Sequence, residues 1–274
     1  MTLIEAIRTK GGQQAASLEK HLNAAGLNDW HDLTKARLND FREYLDETVA
    51  RSSAHTYLAV LRSILSRFED EVDLPCKGFR EVLKIKNERP HKTYLSQEEI
   101  ERLERVEVRN ESEQYVLDEF LIGAYTGMRV SDSREVSIEN VKDGYLTYVS
   151  LKTGVRATIP VSERTVERIE RVRDTHTEMY LATYNDILRR LAERAGINEQ
   201  TKVVKAGKHL CEPKFRLISS HTARISFCTN LARLKVPLLD ISRLAGHTNT
   251  AMTERYIIPT QVELNETAMA YFGK

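Results

Sequence analysis

The residue types with the clearest chemical potential are concentrated towards the end of the chain. The segments HTARISF (221–227) and LAGHTNTAMTERY (244–256) place a phenol in one run with two imidazoles and a guanidinium, and two further cations precede them. These residues are Arg129, Lys152, His221, Arg224, His247 and Tyr256. A guanidinium can bind two phosphate oxygens and stays charged at physiological pH, whereas a phenol needs neighbouring cations to act as a nucleophile. The combination predicts phosphodiester chemistry in which a DNA strand is transferred to Tyr256.

Each of these residues also has an ordinary explanation when it is taken alone. An arginine that follows a helix, such as Arg129, is more often a surface cation, and a lysine at a hairpin tip, such as Lys152, is more often solvated. A lone Tyr256 is compatible with a core position. The order and spacing of the six residues therefore carry the prediction. Asp132, three positions after Arg129, can orient the guanidinium on the same side.

The charge distribution adds a predicted DNA-binding surface. The net charge is only +1, but basic residues are concentrated in the stretches 77–92 and 201–240, while acidic residues cluster elsewhere, as in SQEEIERLERVE. A basic groove with an acidic opposite face is compatible with a total near zero, although ordinary solvated charge explains the same pattern. The predicted DNA-binding residues are Lys77, Lys84, Lys86, Arg89, Lys202, Lys205 and Lys208.

Composition excludes several other classes of protein. A chain of 274 residues with 41% hydrophobic and 30% charged residues is long enough for two globular domains. No apolar run is long enough for a membrane span, and the N-terminus lacks the apolar core of a secretory signal. The three cysteines are scattered without metal-ligand spacing, which indicates reduced thiols and a cytoplasmic location. We expect no metal, no cofactor and no membrane partner.

Periodicity predicts an all-helical first block of about 75 residues. Leu38, Phe41 and Leu45 recur at helical spacing, as do Leu58, Leu61, Leu65 and Phe68. Ser52-Ser53 is predicted to separate these two helices and cap the second. Leu74-Pro75 is predicted to end the block, and the basic stretch up to Arg89-Pro90 to form an extended linker.

The second block mixes helices with a hairpin. A capping box from Ser96 to Glu99 opens one helix, and Gly127 is predicted to end an apolar helix at about 113–126. Residues 145–149 and 157–159 are predicted strands around the Lys152-Thr153-Gly154 turn, with Pro160 ending the hairpin. Further helices are predicted at 162–173, 185–195, 221–235, 237–245 and 249–257. Asn185 would cap the second of these, and Gly196 would close it.

Several motifs together resemble the tyrosine recombinase (phage integrase) family over about residues 93–260. They are TGMRVSD around Arg129, SLKTGVRATIPV around Lys152, HTAR at 221–224, LAGHTN at 244–249 and MTERY ending at Tyr256. The resemblance implies a mostly α fold with a small antiparallel β-sheet. It also implies two domains, a helical core-binding (SAM-like) domain at 1–88 with a basic linker at its end and a mixed α/β catalytic domain at 93–274.

The same resemblance implies a role for each matching residue. Tyr256 would attack the scissile phosphate and form a 3′-phosphotyrosyl bond, Lys152 would protonate the leaving oxygen, and His221 would exchange a proton with the tyrosine. Arg129 and Arg224 would hold the non-bridging oxygens of the phosphate, and His247 would donate a hydrogen bond to it. Asp132 would brace Arg129. No metal and no ATP would be needed, because trans-esterification conserves the energy of the phosphodiester bond.

The resemblance further implies double-stranded DNA as a partner and a homotetramer on two DNA sites. We expect a monomer in solution, and an accessory DNA-bending factor is a candidate partner. Integration or inversion by a mobile element is favoured over dimer resolution of the Xer type. A type IB topoisomerase and a DNA-binding factor without catalysis are the alternatives. The apolar tail after Tyr256, including Val262, Leu264 and Phe272, is predicted to be buried in its own protomer or in a neighbour.

Overall fold

The computed structural model describes residues 1–85, 92–175, 179–205 and 208–258. These residues fall into two compact units that divide near residue 90. The predicted assignment of residues 1–88 to a core-binding domain and of 93–274 to a catalytic domain remains a prediction about what each unit does. The tail residues from 259 onwards, with Val262, Leu264 and Phe272, lie outside the described part of the chain.

The first unit is helical, as its periodicity predicts. Its helices are α1 (Leu3–Lys10), α2 (Gly12–Ala24), α3 (Lys35–Thr48), α4 (Arg51–Phe68) and the short α5 (Phe79–Val82). The apolar positions of α3 and α4 that recur at helical spacing are buried in one core; they are Leu38, Phe41, Leu45, Leu58, Leu61, Leu65 and Phe68. The predicted cap at Ser52-Ser53 is wrong, because α4 begins at Arg51 after Ala50 and places both serines inside its first turn.

The core of the first unit continues beyond the predicted end of the block. After Leu74-Pro75 the chain forms α5, and Phe79, Val82 and Leu83 are buried in the same core. The prediction of an extended linker is therefore wrong for residues 79–83, because their three apolar side chains are buried against the helices of the first unit. Lys86 and Arg89, the rest of the predicted linker, lie outside the described residues.

The second unit is built around one apolar helix. Its helices are α6 (Gln97–Glu104), α7 (Glu111–Thr126), α8 (Val130–Ser133), α9 (Glu163–Thr175), α10 (Leu181–Arg194), α11 (Ser220–Arg233), α12 (Leu238–Leu244) and α13 (Thr250–Glu254). Helix α7 packs against α6, α9, α10 and α11. The capping box of Ser96 and Glu99 opens α6, and Gly127 ends α7 with φ 69°, both as predicted.

Two small antiparallel sheets accompany these helices. Strands β1 (Val141–Lys142), β2 (Tyr145–Val149) and β3 (Arg156–Pro160) form the first in that order. Tyr148 pairs with Ala157 in its register. Strands β4 (Gln200–Lys205) and β5 (Lys208–Pro213) form a second sheet that the sequence did not predict. The predicted β2–β3 hairpin and the predicted mostly α fold with a small antiparallel sheet are confirmed.

Two predicted helix boundaries are wrong. Helix α10 begins at Leu181, and Asn185, its predicted cap, lies in its first turns and accepts a hydrogen bond from the backbone N–H of Ser220 at 2.8 Å instead. Helix α13 ends at Glu254, so Tyr256 lies in the turn after the helix. Across the described ranges, no helix is both long and apolar enough to span a membrane.

Candidate active site

Helix α11 and the end of α7 position the second arginine. Arg224 is only 1% exposed and donates from Nη1 to the backbone carbonyl of Gly127. A Cβ at Gly127 would lie 2.5 Å from Cδ1 of Phe227 on α11. Glycine is therefore needed at this position for two reasons, because its φ is positive and because α11 approaches so closely. This contact brings the segment that leads into Arg129 next to Arg224.

Asp132 joins the first arginine to the β2–β3 hairpin. Nη1 of Arg129 donates to Oγ of Ser150 at 2.8 Å and lies 3.6 Å from Oδ2 of Asp132. The carboxylate accepts from Oγ of Ser150 at 3.1 Å and from the backbone N–H of Leu151 at 2.9 Å. Leu151 directly precedes Lys152, so one buried carboxylate fixes both the guanidinium and the start of the turn that carries the lysine. No role was predicted from the sequence for Ser150, which links Arg129 to Asp132.

Replacement of Asp132 by alanine should therefore disturb two elements at once. We expect the free energy of unfolding to fall by about 3 kcal/mol, because a buried charge partner of Arg129 and an acceptor for two donors are lost. Urea unfolding measures this effect. Glu135→Ala, which removes an exposed carboxylate nearby, is the matched control and should change stability little. Equal stability of the two variants would contradict the bracing role of Asp132.

The backbone of Tyr256 is held on both sides. Its N–H donates to the carbonyl of Thr253 at 2.8 Å, and its carbonyl accepts from Oγ1 of Thr229 on α11 at 3.0 Å. The N–H of Ile258 also donates to Oγ1 of Thr229, at 3.2 Å. The turn that carries the phenol is thus tied to the helix that carries Arg224.

Four cationic or imidazole side chains surround the ring of Tyr256. Its centroid lies 4.8 Å from that of His247 and 5.2 Å from that of His221. Cζ of Arg224 lies 5.3 Å from the same centroid, and Nζ of Lys92 lies 5.6 Å from it. Lys92 also donates to the carbonyl of Arg255. The sequence interpretation missed Lys92 at this site, because its neighbours along the chain give no sign that it packs beside residue 256.

The structure places Lys152 differently from the other predicted residues. Its side chain is exposed at the tip of the β2–β3 hairpin, near enough to His221 to lower the pKa of that imidazole. The positive charge of Arg129 likewise lowers the pKa of His221, of His247 and of the Arg224 guanidinium. The six predicted residues therefore converge on one region, with Lys152 at its edge.

Both histidines are held neutral in this region. The pKa of His247 is lowered to about 3, first by its removal from water and then by the positive charges of Arg224 and Arg129. The pKa of His221 is lowered to about 4, first by the protein packed around its imidazole and then by the positive charges of Arg224 and Lys92, although the residue as a whole is exposed to solvent. Nδ1 of His247 lies 2.9 Å from Oγ1 of Thr253, which fixes the orientation of the ring.

The neutral His247 predicts a stability that decreases on acidification. Its pKa in the unfolded chain is roughly 6.5, so below that pH the unfolded state binds a proton that the folded state does not, and folding is disfavoured. From about pH 7.5 to about pH 5 the loss is about 2 kcal/mol. Urea unfolding of the wild type and of His247→Gln at both pH values should show their stability difference shifting by that amount in favour of the variant.

The matched control for this titration is His31→Gln, which removes an exposed histidine of the first unit. We expect His31→Gln to keep the pH dependence of the wild type. A stability difference between wild type and His247→Gln that stays constant across the two pH values would contradict a neutral buried imidazole.

Several buried polar atoms of the site have no hydrogen-bond partner among the described residues. They are Nε and Nη2 of Arg224, Nε2 of His247 and the hydroxyl of Tyr148. Buried polar groups are almost always paired in folded proteins, because an unpaired one costs about 1–3 kcal/mol. Three side chains that converge with unpaired atoms are therefore suited to a ligand that brings several acceptors, such as a phosphate group.

The predicted DNA-binding lysines lie on exposed surfaces where they are described. Nζ of Lys77 lies 2.5 Å from Oδ1 of Asp73, and Nζ of Lys84 lies 3.7 Å from Oε2 of Glu81. Lys202 is exposed on β4. Lys205 and Lys208 lie in β4 and β5, and their side chains fall outside the described part, as do Lys86 and Arg89. DNA binding by these lysines remains a prediction. Within the described ranges, no group of three or more His, Cys, Asp or Glu residues is arranged to hold a metal ion.

The sequence from residue 93 onwards decides the family. Residues 93–262, which include all six predicted catalytic positions, match the phage integrase family. The chain belongs to the phage integrase family. Members of this family are DNA recombinases, so the recombination, integrase and DNA-binding character predicted from the motifs is confirmed at this level. No curated protein matches the chain in sequence.

Solved integrase structures share its fold. The integrase of transposon Tn1549, in complex with a circular intermediate DNA, gives a TM-score of 0.69 at 15% identity and covers 99% of this chain and 100% of that chain. A lambda integrase dimer bound to a COC′ core site gives 0.66 at 15% identity over 93% and 95%. The XerH site-specific recombinase, bound to a palindromic difH substrate, gives 0.65 at 14% over 94% and 78%. At these identities the similarity establishes the fold.

Proposed function

We propose that this protein is a site-specific tyrosine recombinase that cuts and rejoins double-stranded DNA through a 3′-phosphotyrosyl intermediate on Tyr256. One observation carries the proposal. The phenol of Tyr256 lies among His221, His247, Arg224 and Lys92, beside buried guanidinium and imidazole atoms that have no partner among the described residues. A phenol beside several converging donors is arranged for attack on a phosphodiester whose oxygens those donors bind.

In the first step, the phenolic oxygen of Tyr256 attacks the phosphorus. A bond forms between that oxygen and the phosphorus, and the bond from the phosphorus to the 5′ oxygen of the next nucleotide breaks. His221 accepts the phenolic proton. Its pKa of about 4 leaves the imidazole neutral before the substrate binds, and the negative charge of the bound phosphate opposes the cations that lower this pKa, so the imidazole becomes a stronger base when it is needed. Lys152 gives a proton to the departing oxygen, which leaves as a free 5′ hydroxyl.

The negative charge that develops on the phosphate is stabilised by fixed donors. Arg129 and Arg224 hold the non-bridging oxygens, and Nε2 of His247 donates to one of them, which requires that Oγ1 of Thr253 donate to Nδ1. Asp132 holds Arg129 in place. Because these groups supply the charge stabilisation and the exchange of one ester for another conserves energy, the reaction needs neither a divalent metal nor ATP.

We further propose that the protein acts as an integrase or invertase of a mobile element. The Lys152-Thr153-Gly154 turn and the MTERY ending at Tyr256 support this proposal over dimer resolution, whereas the fold is shared with integrases and with XerH alike. Residues 1–88 would bind DNA as a core-binding domain, and four protomers would assemble on two DNA sites. The basic residues predicted from the sequence would contact the DNA backbone; they are Lys77, Lys84, Lys86, Arg89, Lys202, Lys205 and Lys208.

The test first finds the DNA site and then asks for strand exchange. Wild-type protein is incubated with a library of nicked duplexes of random sequence, and the duplexes retained covalently after denaturation are sequenced. Two differently labelled duplexes with the selected site are then mixed with the protein in EDTA without ATP. We expect recombinant duplexes that carry both labels.

Each alternative predicts a different result. Relaxation of supercoiled plasmids without any exchange between duplexes would indicate a type IB topoisomerase. Binding without covalent retention would indicate a DNA-binding factor that does not cut. Exchange that requires a divalent metal would contradict the proposed metal-free charge stabilisation.

A further inference from the structure

Tyr148 is a buried residue of strand β2 that the proposed mechanism has not used. It is 5% exposed, and it packs in the core of the second unit beside Ala157 of β3. A tyrosine in an apolar core normally pairs its hydroxyl, because the polar tip is costly to bury alone. The hydroxyl of Tyr148 is buried and has no partner of hydrogen-bond geometry among the described residues.

The surroundings of this hydroxyl belong to the active site. Burial raises the pKa of Tyr148, so the phenol stays protonated, and Arg224, Asp132 and Arg129 lie close enough to act on this pKa. The guanidinium of Arg224 lies near the phenolic oxygen, but it can only donate, so the phenolic proton remains available to another acceptor. The backbone of Gly246, the residue before His247, also lies close to the hydroxyl of Tyr148. A Cβ at Gly246 would fall 3.5 Å from the phenolic oxygen and 3.4 Å from Cβ of Ala157.

Three side chains thus bring unpaired buried atoms to one place from three separate elements. Arg224 comes from α11 and contributes Nε and Nη2, His247 follows α12 and contributes Nε2, and Tyr148 comes from β2 and contributes its hydroxyl. Separate water molecules could pair each atom, but a single tetrahedral anion offers several acceptor oxygens at once. Hydrogen bonds to charged acceptors are also stronger than those to neutral ones.

We propose that the hydroxyl of Tyr148 donates a hydrogen bond to a non-bridging oxygen of the scissile phosphate, beside Arg224 and His247. Tyr148 is then a catalytic residue that touches the reacting group, and its neutral donor complements the charged arginines. This role rests on the proposed function, because it requires a phosphodiester in the site. It also accounts for the unpaired hydroxyl, because a phosphate oxygen of the substrate would accept its hydrogen bond.

The test compares Tyr148→Phe with Tyr145→Phe in the full-length protein. Both changes remove one phenolic oxygen from β2, but Tyr145 is on the exposed face of the strand. The probe is a nicked duplex with the selected site, and the readouts are DNA affinity and the single-turnover rate of adduct formation. We expect Tyr148→Phe to lower the rate about 10- to 100-fold, the effect of one hydrogen bond to a charged group. The DNA affinity should stay the same, and the free energy of unfolding should not fall, because the hydroxyl that is removed is buried without a partner among the described residues. Tyr145→Phe should match the wild type.

A phosphorothioate at the scissile position separates contact from structure. Sulfur in place of one non-bridging oxygen should slow the wild type in one or both diastereomers. If Tyr148 binds one of these oxygens, Tyr148→Phe should lose most of the sulfur effect for one diastereomer and keep it for the other. If Tyr148 had only a structural role, Tyr148→Phe would slow the unmodified duplex and both phosphorothioate diastereomers by the same factor. Both sulfur effects would then be unchanged.

The outcomes distinguish this role from the proposed function. Adducts formed by Tyr148→Phe at the wild-type rate, or slowed with unchanged sulfur effects, would overturn the role of Tyr148 and leave the recombinase intact. If the wild type forms no adduct with any duplex, the proposed function fails, and the role of Tyr148 fails with it.

Discussion

Tyr256→Phe is expected to abolish covalent attachment to DNA while leaving DNA binding intact. The substitution removes only the phenolic oxygen, and the ring keeps its place among His221, His247 and Arg224. The backbone contacts of residue 256 with Thr253 and Thr229 do not depend on the side chain. We expect adducts to fall below detection on a denaturing gel, and the affinity for the selected duplex to change by less than about threefold, because no positive charge is lost.

The control for this variant is Tyr180→Phe, which removes an exposed phenol elsewhere in the second unit. It should form adducts at the wild-type rate. Adducts that survive in Tyr256→Phe would show that another residue, for example Tyr271 in the tail, is the nucleophile.

Arg224→Lys is expected to lower the cleavage rate by about 100- to 1,000-fold, the effect of removing a preorganised donor from a site of charge development. The substitution keeps the charge but loses the planar fork that can present Nε and Nη2 to one phosphate, the two atoms that are buried without a partner among the described residues. Arg224→Ala should be at least as damaging, and it also leaves the carbonyl of Gly127 without its donor. Single-turnover cleavage of the nicked duplex measures both.

Arg243→Lys is the matched control, because Arg243 is exposed on α12 and lies 3.6 Å from Asp240. It should cleave at the wild-type rate. Near-normal cleavage by Arg224→Lys would contradict the phosphate clamp, since a point charge would then suffice.

Local signals predicted the elements whose ends are set by neighbours in sequence. The capping box at Ser96 and the left-handed glycine at Gly127 mark their helix ends as expected. Asn185 has the chemistry of a cap, yet tertiary structure uses it otherwise, because its side chain receives the N–H of Ser220. The β4–β5 hairpin was missed because its basic residues were interpreted as a charged surface rather than as strands.

The order and spacing of the motifs located the predicted catalytic residues but not the groups packed around them. Lys92 reaches Tyr256 across more than half of the chain, and Tyr148 reaches Arg224 only through the packing of β2. Ser150 likewise belongs to the site only because its hydroxyl accepts from Arg129 and donates to Asp132. None of these contacts follows from a local pattern, because each depends on how distant segments pack together.

The central claim is that Tyr256 itself becomes joined to DNA, and mapping the adduct tests it most directly. Wild-type protein trapped on the nicked duplex is digested with trypsin and nuclease, and the modified peptide is fragmented in a mass spectrometer. Cleavage after Arg255 places Tyr256 at the start of its peptide, where fragmentation separates it from Tyr271. The account predicts a 3′-linked nucleotide on Tyr256 and a free 5′ hydroxyl on the released strand. A nucleotide on any other residue, or a 5′ linkage, would contradict it.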